Sequence, residues 1–256
     1  MPTIHQTLID QHILLLEIDN PPANSLSKVI KQQFAAILQE LTNNTSLRCL
    51  IIAGKGKHFC AGDDLKEAIQ NASQERGIID NLKAFGPIFD QLEDLPFPTI
   101  AAINGWCIGG GMELALCCDI RMATSTATFI TAGVNVGLVA SVFRLPKLIG
   151  IGRAKRMLLT GQAVNADQAK EFGLICDLSS PDTLLEDAIE LAKIIASKAP
   201  LAIQAAKELV SQSSGVTEEE ETKLWENTLL TLAKSKDHQE ALTAFAEKRK
   251  PHFKGE

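Results

Sequence analysis

The stretch Pro98-Thr-Ile-Ala-Ala-Ile-Asn-Gly-Trp-Cys-Ile-Gly-Gly-Gly-Met-Glu-Leu-Ala-Leu116 decides how this chain is read. Thr99 to Ile103 is a short apolar run behind a proline, the pattern of a strand buried on both faces. Asn104-Gly105 breaks it, and Gly109 to Gly111 lead into a helix-forming stretch, Met112 to Leu116. A glycine-rich entry to a helix leaves backbone N–H groups without partners, where the helix dipole favours negative charge. Glu113 sits one turn further in. Amide donors beside a carboxylate make an enzyme-like constellation.

A second loop repeats this logic. Lys57-His-Phe-Cys-Ala-Gly-Asp-Asp-Leu-Lys-Glu67 follows a buried-strand pattern, Cys49 to Ala53, and runs into a helix near Asp64. If both loops leave the same edge of one sheet, their N–H groups converge on one carbonyl oxygen, which is an oxyanion hole for an acyl derivative. Read singly, each loop also fits an ordinary strand-to-helix turn, with glycine for tight geometry and Asp63 or Asp64 as N-cap. Glu113 equally suits the first turn of a helix by the dipole alone. Its apolar neighbours Met112 and Leu114 favour instead a partly buried carboxylate fit for proton transfer.

Outward from these loops, Thr3 to Ile9 and Ile13 to Asp19 read as strands joined by Asp10-Gln11-His12. The prolines of Asn20-Pro-Pro-Ala-Asn-Ser25 demand a loop. Ser27 caps a helix carrying Val29, Ile30, Phe34, Ile37, Leu38 and Leu41 at helical spacing. A long helix over Ile78 to Leu95 is expected to kink or break at Gly86-Pro87. Asp119 to Ala123, Thr128 to Thr131 and Leu174 to Leu178 read as strands. Helices are expected over Arg153 to Thr160, Ala166 to Phe172, Leu184 to Ser197, Ala202 to Ser211, Glu218 to Ala233 and His238 to Lys248. Strands alternating with helices and then a helical tail indicate an α/β core, residues 1–198, followed by a helical subdomain, 199–256.

Composition narrows the function. Of 256 residues 45% are hydrophobic, enough for a sizeable core, while aromatics are only 5%. A net charge of -6 argues against nucleic acid or an acidic membrane as partner, and the basic Lys248-Arg249-Lys250 reads as a solvated tail. No apolar run is long enough to span a membrane, and Met-Pro-Thr-Ile-His-Gln does not resemble a signal peptide, so a cytoplasmic or mitochondrial-matrix setting is expected. The six cysteines lack CxxC spacing and lie mostly in apolar runs, as reduced core residues do. No HExxH or GxSxG occurs, and Gly150-Ile-Gly152 follows no strand pattern, so zinc hydrolase, serine hydrolase and dinucleotide-binding readings have no support.

Together these segments resemble the enoyl-CoA hydratase/isomerase (crotonase) family along nearly the whole chain. The carriers are Asn20-Pro-Pro-Ala-Asn-Ser-Leu26, Phe59-Cys-Ala-Gly-Asp-Asp-Leu-Lys66, Asn104 to Asp119, Leu159-Thr-Gly-Gln-Ala-Val-Asn-Ala-Asp-Gln-Ala169, Gly173-Leu174 and the Lys248 to Lys254 tail. The resemblance implies a spiral of ββα turns with a C-terminal helical trimerisation region, assembled as a trimer or a dimer of trimers. It implies an acyl-CoA thioester as substrate and neither metal nor redox cofactor, coenzyme A being part of the substrate. Carried over by position, the backbone N–H groups of Asp63 and Gly110 are the oxyanion donors and Glu113 is the catalytic acid–base. On the same resemblance Ala23, Ala61, Asp64, Leu65 and Lys66 line the CoA path, with Phe253 and Lys254 reaching the CoA of their own or a neighbouring subunit.

Hydratases of this family use two glutamates, and the second is missing here. Phe129-Ile-Thr-Ala-Gly-Val-Asn-Val-Gly137 puts Gly133 at its place, and the following loop, Leu138 to Phe143, is shorter than usual. This segment resembles a subgroup of hydratase-domain proteins that includes mitochondrial members. Asp63 is a further departure, because a small residue is usual there; its side chain must point away or serve separately. Hydration of a 2-enoyl-CoA by Glu113 alone is the expected reaction. Isomerisation, thioester hydrolysis or decarboxylation through the same hole, or acyl-CoA binding with little catalysis, are the alternatives.

Overall fold

The computed structural model describes residues 1–64, 66, 67, 69, 77–213 and 215–256, and for 78–85 the backbone alone. Among the described residues the strands form two sheets. The larger places β1 (Thr3–Ile9), β2 (Ile13–Asp19), β3 (Cys49–Gly54), β4 (Thr99–Ile103), β6 (Ile120–Thr124) and β9 (Asp177–Ser179) side by side in that order. β1 and β2 are an antiparallel hairpin, and every later pairing in this sheet is parallel. The smaller sheet orders β5 (Trp106–Ile108), β7 (Thr128–Ile130) and β8 (Val164–Asn165).

Helices before the last strand supply the crossovers that parallel strands need, and further helices follow it. In chain order the helices are α1 (Lys28–Leu41), α2 (Gly77–Glu93), α3 (Gly110–Leu116), α4 (Arg144–Ile149), α5 (Ile151–Thr160), α6 (Ala166–Phe172), α7 (Leu184–Ala196), α8 (Pro200–Gln212), α9 (Glu218–Leu232) and α10 (Lys236–Ala246). The central strands are apolar on both faces, as a doubly covered sheet requires. Ile13, Leu15, Cys49, Ile51, Ile100 and Ala102 pack under α7 through Leu184, Ala188 and Ala192. Their alternates, including Leu14, Leu16, Leu50, Ile52, Ala101 and Ile103, face the main core with Phe34, Phe59 and Phe129. The successive strand-and-helix turns match the spiral that the resemblance implies.

The hairpin strands and α6 lie where the periodicity puts them, and Ser27 caps α1 through the Ile30 N–H. Three expectations need correction. α2 continues through Pro87 instead of breaking, because Ile88, Phe89 and Leu92 beyond it are held in the core. The last strand starts at Asp177, not Leu174: the N–H groups of Leu174 and Ile175 both return to the Ala169 carbonyl and finish α6. α10 starts at Lys236, two residues early, because Ser235 is its cap. The short β5, β8 and α4 were not legible from periodicity at all.

Five of the six thiols, Cys49, Cys60, Cys107, Cys117 and Cys118, are buried and free. Burial pushes Cys60 and Cys118 up to about 12, so both stay protonated and behave as small core residues. Among the described residues no helix is long and apolar enough to cross a membrane.

Candidate active site

Three loops leave the carboxyl ends of β2, β3 and β4, the edge of a parallel sheet where ligands bind. Hydrogen bonds stitch them together. The Phe59 N–H donates to the Asn104 carbonyl (2.7 Å), the Cys60 N–H to Trp106 (2.9 Å), and the Ile108 N–H back to Cys60 (3.0 Å). The β3 loop therefore runs as an added strand beside β5. Glycine is what allows the contact: a Cβ on Gly111 would sit 2.3 Å from the Cys60 carbonyl oxygen. Asn24 ties in the third loop. Buried at positive φ (55°), it donates through Nδ2 to the carbonyls of Lys55 (3.0 Å) and His58 (2.6 Å). Asparagine tolerates this left-handed conformation, a signal that was present in the sequence and unread.

This stitching brings the Asp63 and Gly110 amides together. A Cβ built on Gly62 would lie 2.9 Å from the Gly110 nitrogen, and one on Gly110 would lie 3.6 Å from the Asp63 nitrogen. Neither N–H has an acceptor among the described residues. The Asp63 side chain has a partner of its own. Lys31 Nζ lies 2.6 Å from its Oδ1, which balances a carboxylate that would otherwise oppose an anion at these amides.

Glu113, on the first turn of α3, is largely buried, its side chain 13% exposed. Ser141 Oγ donates to its Oε2 (2.5 Å), and Arg144 Nη1 donates to its Oε1 (2.7 Å). Arg144 reaches on to Asp90 and Glu93 of α2, each at 2.8 Å. Burial works against the guanidinium charge, but the hydrogen bonds to Glu113 and Glu93 outweigh it and hold its pKa above the ordinary arginine value. Ser141 and Arg144 were not singled out from the sequence. A lone arginine inside the apolar run Val142-Phe143-Arg144-Leu145 was the available signal.

Position 133 offers no side chain. Gly133 lies in a 3-10 turn, Ala132–Val136, and a Cβ there would lie 2.9 Å from the Leu138 carbonyl oxygen and 3.1 Å from the Ala140 nitrogen. The 138–140 backbone crowds the space into which a side chain at this position would start.

The remaining candidates divide. The Ala61 N–H donates to the Ala23 carbonyl (2.9 Å), placing both at the loop junction. Asp64 Oδ1 accepts the N–H groups of Lys66 (2.9 Å) and Glu67 (3.3 Å), and so starts the next helix. Leu65 lies outside the described residues. Phe253 and Lys254 are elsewhere: Arg48, just before β3, donates to the Phe253 carbonyl (2.6 Å), and the Lys254 N–H donates to Asp237 (2.7 Å). That is the amino end of β3, opposite the amide pair, so one chain does not bring them to the site.

Known proteins place this chain in a family. The family model for enoyl-CoA hydratase/isomerase matches residues 9–256. An enoyl-CoA isomerase/hydratase of Mycosarcoma maydis is 38% identical over 94% of this chain and 92% of its own. The 2,3-dehydroadipyl-CoA hydratase of Escherichia coli (strain K12) is 35% identical over 96% of both chains. The crystal structure of an enoyl-CoA hydratase from Bacillus anthracis superposes with a TM-score of 0.95 at 35% identity, covering 99% of each chain. With its two loops stitched at the carboxyl edge of the sheet, the chain belongs to the enoyl-CoA hydratase/isomerase family.

Proposed function

We propose that the protein adds water to a 2-enoyl-CoA using Glu113 as its one acid–base group. The thioester oxygen accepts from the Asp63 and Gly110 amides. Glu113 takes a proton from water, the hydroxyl bonds to C3, and the π electrons move through C2 toward that oxygen as an enolate. Glu113 then returns the proton to C2, so charge and atoms balance. Fixed donors aimed at the developing oxyanion supply the largest part of such catalysis. The observation that carries this reading is the convergence of the two amides one turn from a largely buried carboxylate.

The test is loss of crotonyl-CoA absorbance. Glu113→Gln is expected to lower kcat by about 10²–10⁴-fold, the usual contribution of general acid–base catalysis. Equal rates for the two proteins would sink the mechanism. Isomerisation is the second reading, supported by the 38% identical relative named an enoyl-CoA isomerase/hydratase, since one carboxylate suffices for a 1,3-proton shift. Mass spectrometry separates the two: hydration adds one water to the thioester and isomerisation leaves its mass unchanged.

Coenzyme A, on this reading, is part of the substrate, and the scheme uses neither metal nor redox cofactor. Ala23, Ala61, Asp64 and Lys66 line its path. Phe253 and Lys254 come from a neighbouring copy, in a trimer or a dimer of trimers built through residues 199–256. The exposed Val210, Trp225, Leu229, Leu230, Leu242 and Phe245 on α8 to α10 support that assembly. A cytoplasmic or matrix setting suits the buried, protonated thiols.

A further inference from the structure

We infer that Arg144, with Ser141, is a positioning residue that aims the Glu113 carboxylate; this deepens the hydratase reading and rests on it. Position 133 contributes no side chain, and the described groups that hydrogen-bond the Glu113 carboxylate are Ser141 and Arg144. A carboxylate has about four acceptor sites. Arg144 and Ser141 take one on each oxygen, which fixes the carboxylate plane and leaves one lone pair per oxygen free to act.

Both positions break local rules, as residues held for a site do. Arg144 is the first residue of α4, a helix with no side-chain cap, and a cation at a helix N-terminus is unfavourable. Ser141 is buried at positive φ (59°), a conformation serine rarely adopts. Neither placement benefits the local backbone, and each becomes intelligible through Glu113. The guanidinium is anchored from its far side by Asp90 and Glu93, so it cannot swing freely. The planar fork of arginine meets three carboxylates at once, which the point charge of lysine cannot reproduce.

The experiment compares steady-state hydration of crotonyl-CoA with calorimetric binding of butyryl-CoA, which has no double bond to hydrate. Arg144→Met is expected to lower kcat about 10- to 100-fold, the scale of a catalytic group displaced by an ångström. KM and butyryl-CoA affinity are expected to stay within about twofold, and Arg144→Lys is expected to recover part of kcat. The double variant Asp90→Asn/Glu93→Gln leaves Arg144 and Glu113 in place, so it tests the anchor even where Arg144→Met does not fold. It is expected to lower kcat about threefold or more at unchanged butyryl-CoA affinity. Unchanged kcat in Arg144→Met or in the double variant overturns the proposal, as does a loss matched in butyryl-CoA affinity. If Glu113→Gln keeps full activity, the hydratase reading itself fails; if only Glu113→Gln loses activity, the positioning role alone fails.

Discussion

At the scale of single residues, the site depends on side chains that are absent. Gly62, at φ 87°, would carry a Cβ 2.7 Å from the Ile108 carbonyl oxygen and 2.9 Å from the Gly110 nitrogen. Gly62→Ala must therefore push the two amides apart, and a loss of about 10²–10³-fold in kcat is expected, as for removal of one oxyanion donor. A steady-state assay on crotonyl-CoA would check it. Gly133 is the converse case. Restoring the missing acid as Gly133→Glu forces the 138–140 backbone to move, so the variant should lose about 1–3 kcal/mol of stability by overpacking, with no gain in rate. Thermal melting with the same assay decides this. That position 133 carries no side chain is plain in the sequence. That the 138–140 backbone crowds it is not, because this depends on how the backbone folds back.

At the scale of elements, α10 and the tail behind it form one latch. Asp237, buried on the first turn of α10, accepts the N–H groups of Lys254 (2.7 Å) and Gly255 (2.8 Å). Asp237→Asn removes one acceptor and should cost about 1–3 kcal/mol, readable as a lower melting temperature. Further along, Arg249 pairs with Glu240 through Nη1 and Nη2, and the His252 N–H joins them. Arg249 first, and the His252 amide second, pull the Glu240 carboxyl down to about 2. A carboxyl depressed by folding contributes stability above its ordinary pKa and loses it as pH falls through the folded value. The tail should therefore loosen between about pH 4.5 and pH 2. The His252 amide resonance, followed by NMR, should shift across that window, and in Glu240→Gln it should not. The basic tail thus has partners that its sequence, read as solvated charge, did not reveal.

At the scale of the whole molecule, a single chain leaves Phe253 and Lys254 at one end of β3 and the amide pair at the other. If a neighbouring copy supplies these residues, light scattering should report a multiple of three chains. Truncation before Phe253 should raise KM for crotonyl-CoA while sparing kcat; a fully active monomer would end this idea. The α/β class, the strands β1 to β4, the cap at Ser27 and both glycine loops followed from the sequence alone. Such features are local: periodicity, capping and turn chemistry act over a few neighbouring residues, so the chain displays them before it folds. What only the tertiary structure decided were the Lys31 partner of Asp63, the clamp of Ser141 and Arg144 on Glu113, and the closed space at Gly133. Each joins segments about thirty residues apart or turns on the path of one backbone around another, and no spacing along the chain encodes such a meeting.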